Sequence, residues 1–148
     1  MDANTYQNLA LRTESAEAPL RGFFGDSNNN NRLLHAGIGM ATEAAEFIDP
    51  IKKFLFYNKP IDKTNLKEEI GDLLWYVAIA CSALGTTVEE EMERNITKLA
   101  KRYPEKFTSE AAINRDLEAE RKVLEVDPNT VEIKFRDLEN DTIAAIKL

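Results

Sequence analysis

One cysteine, one histidine and one tryptophan are all that 148 residues offer of those three types. The single Cys81 excludes an internal disulfide, and its place in the most apolar run marks it as a reduced core residue of a cytoplasmic chain. Basic charge is scarce. Against 26 Asp and Glu stand 19 Lys and Arg, a formal net charge of −7, so the basic stripes that hold nucleic acid are not expected. The chain opens on MDANTYQNLA, without the basic-then-apolar order of a secretory signal. The longest uncharged run, 73–88, falls short of the ~20 residues of a membrane span and carries Ser, Gly and Thr at its end. It reads as a core helix. No internal repeat is visible, and the length suits one domain.

Two acidic pairs stand out against this background. Glu43 and Glu46 are the only formal charges between Arg32 and Asp49, and after Glu69 and Asp72 no charge appears until Glu89. Members of each pair are three residues apart, so on a helix they share a face. A carboxylate in an otherwise apolar helix has to be neutralised, hydrogen-bonded or metal-bound. Two such helices facing each other can bring four carboxylates to one place, which suits a hard divalent cation such as Mg2+. The plainer alternative is hydrogen bonding between helices or an exposed acidic stripe. A di-iron carboxylate bundle would want Glu-x-x-His pairs, and the lone His35 does not follow any of the four acids at that spacing.

Along the chain the pattern is helical. Residues 4–14 have a one-sided helical pattern. Residues 15–31 lose it in a loop rich in Gly and Asn, where Phe23 and Phe24 either tuck into the core or form a lid over a substrate base. A helix over 32–47 contains Gly37 and Gly39, whose cost in propensity points to close helix–helix approach. Asp49-Pro50 predicts a kink or break, with a further helical segment over 51–57 directing Phe54 and Leu55 inward. Asn65 with Glu68 reads as a capping box opening a helix to about residue 84, with Leu66, Ile70, Leu73, Leu74, Val77 and Cys81 toward the core and Gly85 as the stop. Thr87 with Glu90 opens a helix to 103, ended by Pro104. On it Asn95, Lys98 and Arg102 make a small polar and cationic face. A fifth helix is expected over 109–125, capped by Ser109. Residues 131–136 alternate like a short strand, and 141–148 suit one or two helical turns. A lone strand leaves the tail to pair with another subunit or stay loose.

YQNLALRT (6–13), RLLHAGIGMATEAAE (32–46), LKEEIGDLLWYVA (66–78) and NITKLAKRYPEKF (95–107) together resemble the MazG-like, all-α nucleoside triphosphate pyrophosphohydrolases, and most of all their short single-domain, phage-type members. The likeness covers roughly 4–125, continuing through NRDLEAERKVLE (114–125). It sets a MazG-like domain over 1–125 and a tail of unassigned role over 126–148. Its carriers are the ExxE of Glu43 and Glu46, the ExxD of Glu69 and Asp72, Tyr76 one turn after Asp72, and the run from Asn95 to Pro104. Pro50 departs from the pattern, interrupting what is commonly one longer helix.

The resemblance implies hydrolysis of a ribo- or deoxynucleoside triphosphate to the monophosphate and pyrophosphate, as nucleotide-pool house-cleaning or regulation, with Mg2+ or in its place Mn2+. Glu43, Glu46, Glu69 and Asp72 would be the metal ligands and catalytic acids, with Glu43 and Glu46 both open as general base. Lys98, Arg102 and Asn95 would hold pyrophosphate, Tyr76 the sugar or base, and His35 the base pocket. The implied fold is an all-α, MazG-like helical bundle completed by a second copy, a homodimer or homotetramer, with a short β or irregular C-terminal tail. The run GDLLWYVAIACSALG, apolar on more than one face, also asks for a partner. The competing reading is a catalytically idle helical module that binds a nucleotide or another protein; no nucleic acid or membrane partner is expected.

Overall fold

Asp2 turns the chain into its first helix, its carboxylate accepting the Thr5 amide at 2.8 Å. The structure, a computed structural model, describes residues 1–15, 28–126, 132–137 and 142–147, and falls into two units, Met1–Val88 and Glu89–Leu148. Phe23 and Phe24 lie outside the described residues.

Three helices build the first unit: α1 (Ala3–Leu11), α2 (Asn28–Tyr57) and α3 (Lys63–Leu84). Both α1 and α2 pack on α3. The expected break at Asp49-Pro50 does not occur. Pro50 sits inside one continuous α2 of 30 residues. Proline removes one N–H donor, which leaves the Glu46 carbonyl without its helical partner, and a long helix packed against a neighbour absorbs that loss. The helix stops where Asn58 takes a left-handed φ of 53° and the Lys59 amide donates back to the Lys53 carbonyl at 3.2 Å. The cap of α3 is Asp62, which accepts from the Thr64 and Asn65 amides, so Asn65 is not the cap expected from its spacing to Glu68. Gly85 ends α3 as expected, at φ 75°.

The core of this unit is lined by small residues. Ala10, Ala78, Cys81 and Val88 form it, flanked by Ala3, Tyr6, Trp75 and Val77. A polar clamp closes one end: the buried Gln7 donates to the Thr86 carbonyl (3.3 Å) and accepts the Val88 amide (2.7 Å). Arg32 binds Glu14 through two parallel bonds of 2.7 Å and reaches Ser82. Four residues expected inward are exposed: Phe54, Leu55, Ile70 and Leu74. Ala36, Ala78, Cys81 and Ala83 are buried with the larger Ile79, while several other large apolar side chains of α2 and α3 remain outside.

The second unit holds the rest of α4 (Val88–Arg102), then α5 (Ser109–Ile113), α6 (Leu117–Glu125) and two strands, β1 (Glu132–Asp137) and β2 (Thr142–Lys147). The single helix expected over 109–125 is two. Thr108 rather than Ser109 caps α5, and Asp116 caps α6 by accepting the Ala119 amide at 2.9 Å. The residues 141–148 expected to turn helically contain a strand instead. It pairs antiparallel with β1, Ile133 opposite Ile146 and Asp137 opposite Thr142, so the first strand has a partner within the chain. Glu120, only 4% exposed, is gripped by two arginines. Arg102 donates to it at 2.8 and 2.5 Å, and Arg115 at 3.3 and 2.6 Å. These bonds, led by Arg102, hold its carboxyl down at about 2. Among the described residues no single helix is long and apolar enough to cross a membrane.

The two glycines of α2 separate cleanly. A Cβ at Gly39 would lie 2.1 Å from the Tyr76 ring, whereas a Cβ at Gly37 meets nothing within 4 Å. Close helix approach therefore explains Gly39 and not Gly37. Gly37→Ala is expected to raise unfolding stability by about 0.5–1 kcal/mol through helix propensity, and Gly39→Ala to lower it by about 1–3 kcal/mol through overpacking. Urea unfolding of the two variants checks the opposite signs; a stabilised Gly39→Ala would contradict the close contact with Tyr76.

Candidate metal centre

Helical spacing puts Glu69 and Asp72 on one face of α3, and the packing of α2 on α3 brings Glu43 to them. Carboxylate oxygens of Glu43, Glu69 and Asp72 all lie within 4.8 Å of one another. Their exposures differ: Glu69 is buried at 3%, Glu43 half-buried and Asp72 exposed. Asn65, one turn before Glu69 on α3, donates its side-chain amide to Glu69 Oε1 at 2.5 Å. That bond fixes the buried carboxylate and satisfies one of its lone pairs.

Crowding of like charges shows in the protonation of Glu43. Burial pushes its carboxyl above the ordinary 4.5, and the negative charge of Glu46, a hydrogen bond with Glu69 and the charges of Asp72 and Glu69 push the same way. Tyr76 feels the same field. Its hydroxyl is raised above 10.0, first by burial and then by Glu43, Asp72 and Glu46. An all-oxygen donor set of anionic carboxylates is what Mg2+ or Mn2+ takes, and it fits neither a thiolate nor an imidazole site.

The structure brings some of the expected residues together and leaves others apart. Glu46 is exposed and outside the three-carboxylate group; it lines a cavity of about 520 Å³ that also touches Glu69. His35 and Tyr76 meet edge to face, ring centroids 5.5 Å apart, and Trp75 joins them at 6.1 Å from His35 and 4.9 Å from Tyr76. Trp75 is anchored in turn by its indole N–H to the Thr13 hydroxyl at 2.8 Å. In the second unit Asn95 is exposed on α4, Lys98 is partly buried, and the guanidinium of Arg102 is engaged by Glu120. One contributor went unnoticed in the sequence: the bond of Asn65 to Glu69, for which their i, i+4 spacing was a usable signal. Glu46 shares its cavity with Lys52 and Lys53.

Residues 35–107 match the family model described as the MazG nucleotide pyrophosphohydrolase domain. That span contains the three converging acids, Glu46, and the α4 residues from Asn95 to Arg102. The Gene 37 protein of Mycobacterium phage L5 is 29% identical over 82 residues, which is 53% of this chain and 72% of that protein. No solved structure matches the chain.

The raised Glu43 carboxyl predicts a stability effect with a definite sign. A group whose folded-state pKa is raised stabilises the fold when protonated, and this contribution is lost as pH rises through the folded value. In EDTA, Glu43→Gln is therefore expected to melt higher than wild type near neutrality, with the difference vanishing below the ordinary 4.5. Calorimetric melts across that pH range would contradict it by showing a pH-independent difference.

Proposed function

Residues 35–107 belong to the MazG nucleotide pyrophosphohydrolase family, and on that premise we propose that this chain hydrolyses ribo- or deoxynucleoside triphosphates to the monophosphate and pyrophosphate with Mg2+. The observation that carries the reading is the convergence of Glu43, Glu69 and Asp72 within 4.8 Å inside the matched segment. These three would hold the cation, with Glu46 within reach of the same face of α2. When bound, Mg2+ neutralises phosphate oxygens and lowers the pKa of water.

The chain's own groups divide the remaining work. Asn65 keeps the buried Glu69 carboxylate in one orientation. Glu46, exposed on the cavity wall, would accept the proton of the attacking water, and Glu43 is the alternative base. Attack at the α-phosphorus forms one P–O bond and breaks the bridge to the β-phosphorus, which releases pyrophosphate; positioning and charge supply most of the catalysis in such a transfer. Tyr76 and His35, packed edge to face beside the acids, offer a wall for the sugar or base. Lys98 and Asn95 on α4 remain candidates for phosphate contact.

Pyrophosphate release, measured over a panel of ribo- and deoxynucleoside triphosphates with Mg2+ and with EDTA, tests the reaction. Turnover is expected only with Mg2+. Glu69→Gln should lower kcat by more than the ~10–100-fold typical of losing a ligand's supporting partner. Release of single phosphate, or EDTA-resistant turnover, would sink the assignment, and a chain that binds nucleotide without any turnover would be the idle binding module instead.

The exposed apolar residues of α2 and α3 support assembly. Ile38, Ile48, Ile70 and Leu74 are each 45–58% exposed, more apolar surface than a lone unit of this size keeps in water without cause. A second copy of the chain is the proposed cover, giving a homodimer or a homotetramer. Sedimentation at micromolar concentration is expected to show twice the chain mass or more, and Ile70→Glu with Leu74→Glu to shift it toward the monomer; a monomeric wild type would refute the assembly.

A further inference from the structure

A polyphosphate brings strong negative charge to a site whose nearest groups are carboxylates, so cations on the chain have to meet it. Arg102 presents the planar fork best suited to phosphate, but its Nε–Nη2 edge is spent on Glu120. The first unit carries cations of its own beside the acids. The cavity of about 520 Å³ is lined by Glu46 and Glu69 together with Asp49, Lys52, Lys53 and Asn65. Its size lies within the ~300–1,000 Å³ usual for small-ligand sites. Ile48 and Pro50 also line it.

The order of charge along α2 is the telling feature. Glu46, Asp49, Lys52 and Lys53 follow one another at helical spacings of three and four, so one face turns from acidic to basic over a rise of about 9–10 Å. Both ammonium groups are ion-paired to the single carboxylate of Asp49, and both lysines are about half exposed. Two positive charges share one negative charge, which leaves an excess of positive charge at that end of the cavity. Exposed pairs of this type contribute little to stability, so a ligand with more negative charge can displace Asp49 at small cost.

We propose that Lys52 and Lys53 receive the polyphosphate end of the substrate in this cavity, with Asp49 as the counter-ion that the phosphate displaces. The proposal deepens the pyrophosphohydrolase reading and rests on it for the substrate class. It assigns the two lysines to phosphate binding and the acids at the other end of the face to the cation.

Full-length wild type is compared with Lys52→Gln/Lys53→Gln, Lys52→Arg/Lys53→Arg and Asp49→Asn. The Gln pair is expected to raise KM for the triphosphate by about 10-fold or more, the loss of a charge-assisted contact, while the Arg pair restores most of it and Asp49→Asn lowers KM. Mn2+ binding, read by water-proton relaxation without nucleotide, should not change in the Gln pair. Calorimetry with inorganic tripolyphosphate and Mg2+ separates the two ideas. If wild type turns over no nucleotide yet binds tripolyphosphate in a lysine-dependent way, the reaction assignment falls and the phosphate site stands. If the Gln pair keeps wild-type tripolyphosphate affinity and KM, or wild type binds no tripolyphosphate, the lysine site is overturned whatever the reaction proves to be.

Discussion

A buried carboxylate that must be held in place beside two others is the constraint on which the first unit depends. Glu69 is 3% exposed on α3, and Glu43 and Asp72 bring their oxygens within 4.8 Å of the same spot. Such crowding works against folding. Glu69 and Glu43 lose hydration and the three carboxylates repel one another, and the upward push on Glu43 is the visible sign. The surrounding structure offsets this with fixed contacts: Asn65 bonded to Glu69, the Gln7 clamp between α1 and the end of α3, and the paired Arg32 and Glu14. A cluster kept at a cost in stability is a familiar mark of a functional site.

Close packing of α2 on α3 sets the distances within that cluster. Gly39 removes the one side-chain atom that would strike Tyr76. The ring then lies against the backbone of α2, in contact with His35 and Trp75, and its hydroxyl feels the charge of the acids. One missing methyl group thus links helix approach, the aromatic wall and the spacing of the carboxylates. The small-residue core follows from the same geometry: faces built from Ala36, Ala78 and Cys81 let helices approach closely, and they leave larger apolar residues such as Ile38 and Ile70 outside.

The second unit solves a different problem. Its short helices α5 and α6 bury little apolar surface, and Glu120 with Arg102 and Arg115 ties α4, the turn before α6 and α6 together. Breaking a buried ion pair costs more than never forming it, so this triad fixes the arrangement within the unit. It also commits the Arg102 side chain to a structural partner.

The helices, their caps at Gly85 and the acidic pairs were legible in the sequence, because three-residue spacing, apolar periodicity and left-handed glycine stops are local properties of the chain. The family resemblance was legible for the same reason: its motifs are short and carried by single helices. Local signals left a kink or a break open at Pro50, and no break occurs, because a break depends on whether neighbouring packing repays one lost hydrogen bond. They also ran one helix through 109–125 where there are two, and gave 141–148 to a helix, where pairing with β1 decided for a strand. The sequence alone could place four acids on two helices; only tertiary packing decided that Glu43, Glu69 and Asp72 converge while Glu46 faces a cavity with two lysines. It likewise decided that Gly39, and not Gly37, is the contact point. Spacing along one helix is set by covalent geometry, whereas the angle and distance between two helices are set by which side chains meet.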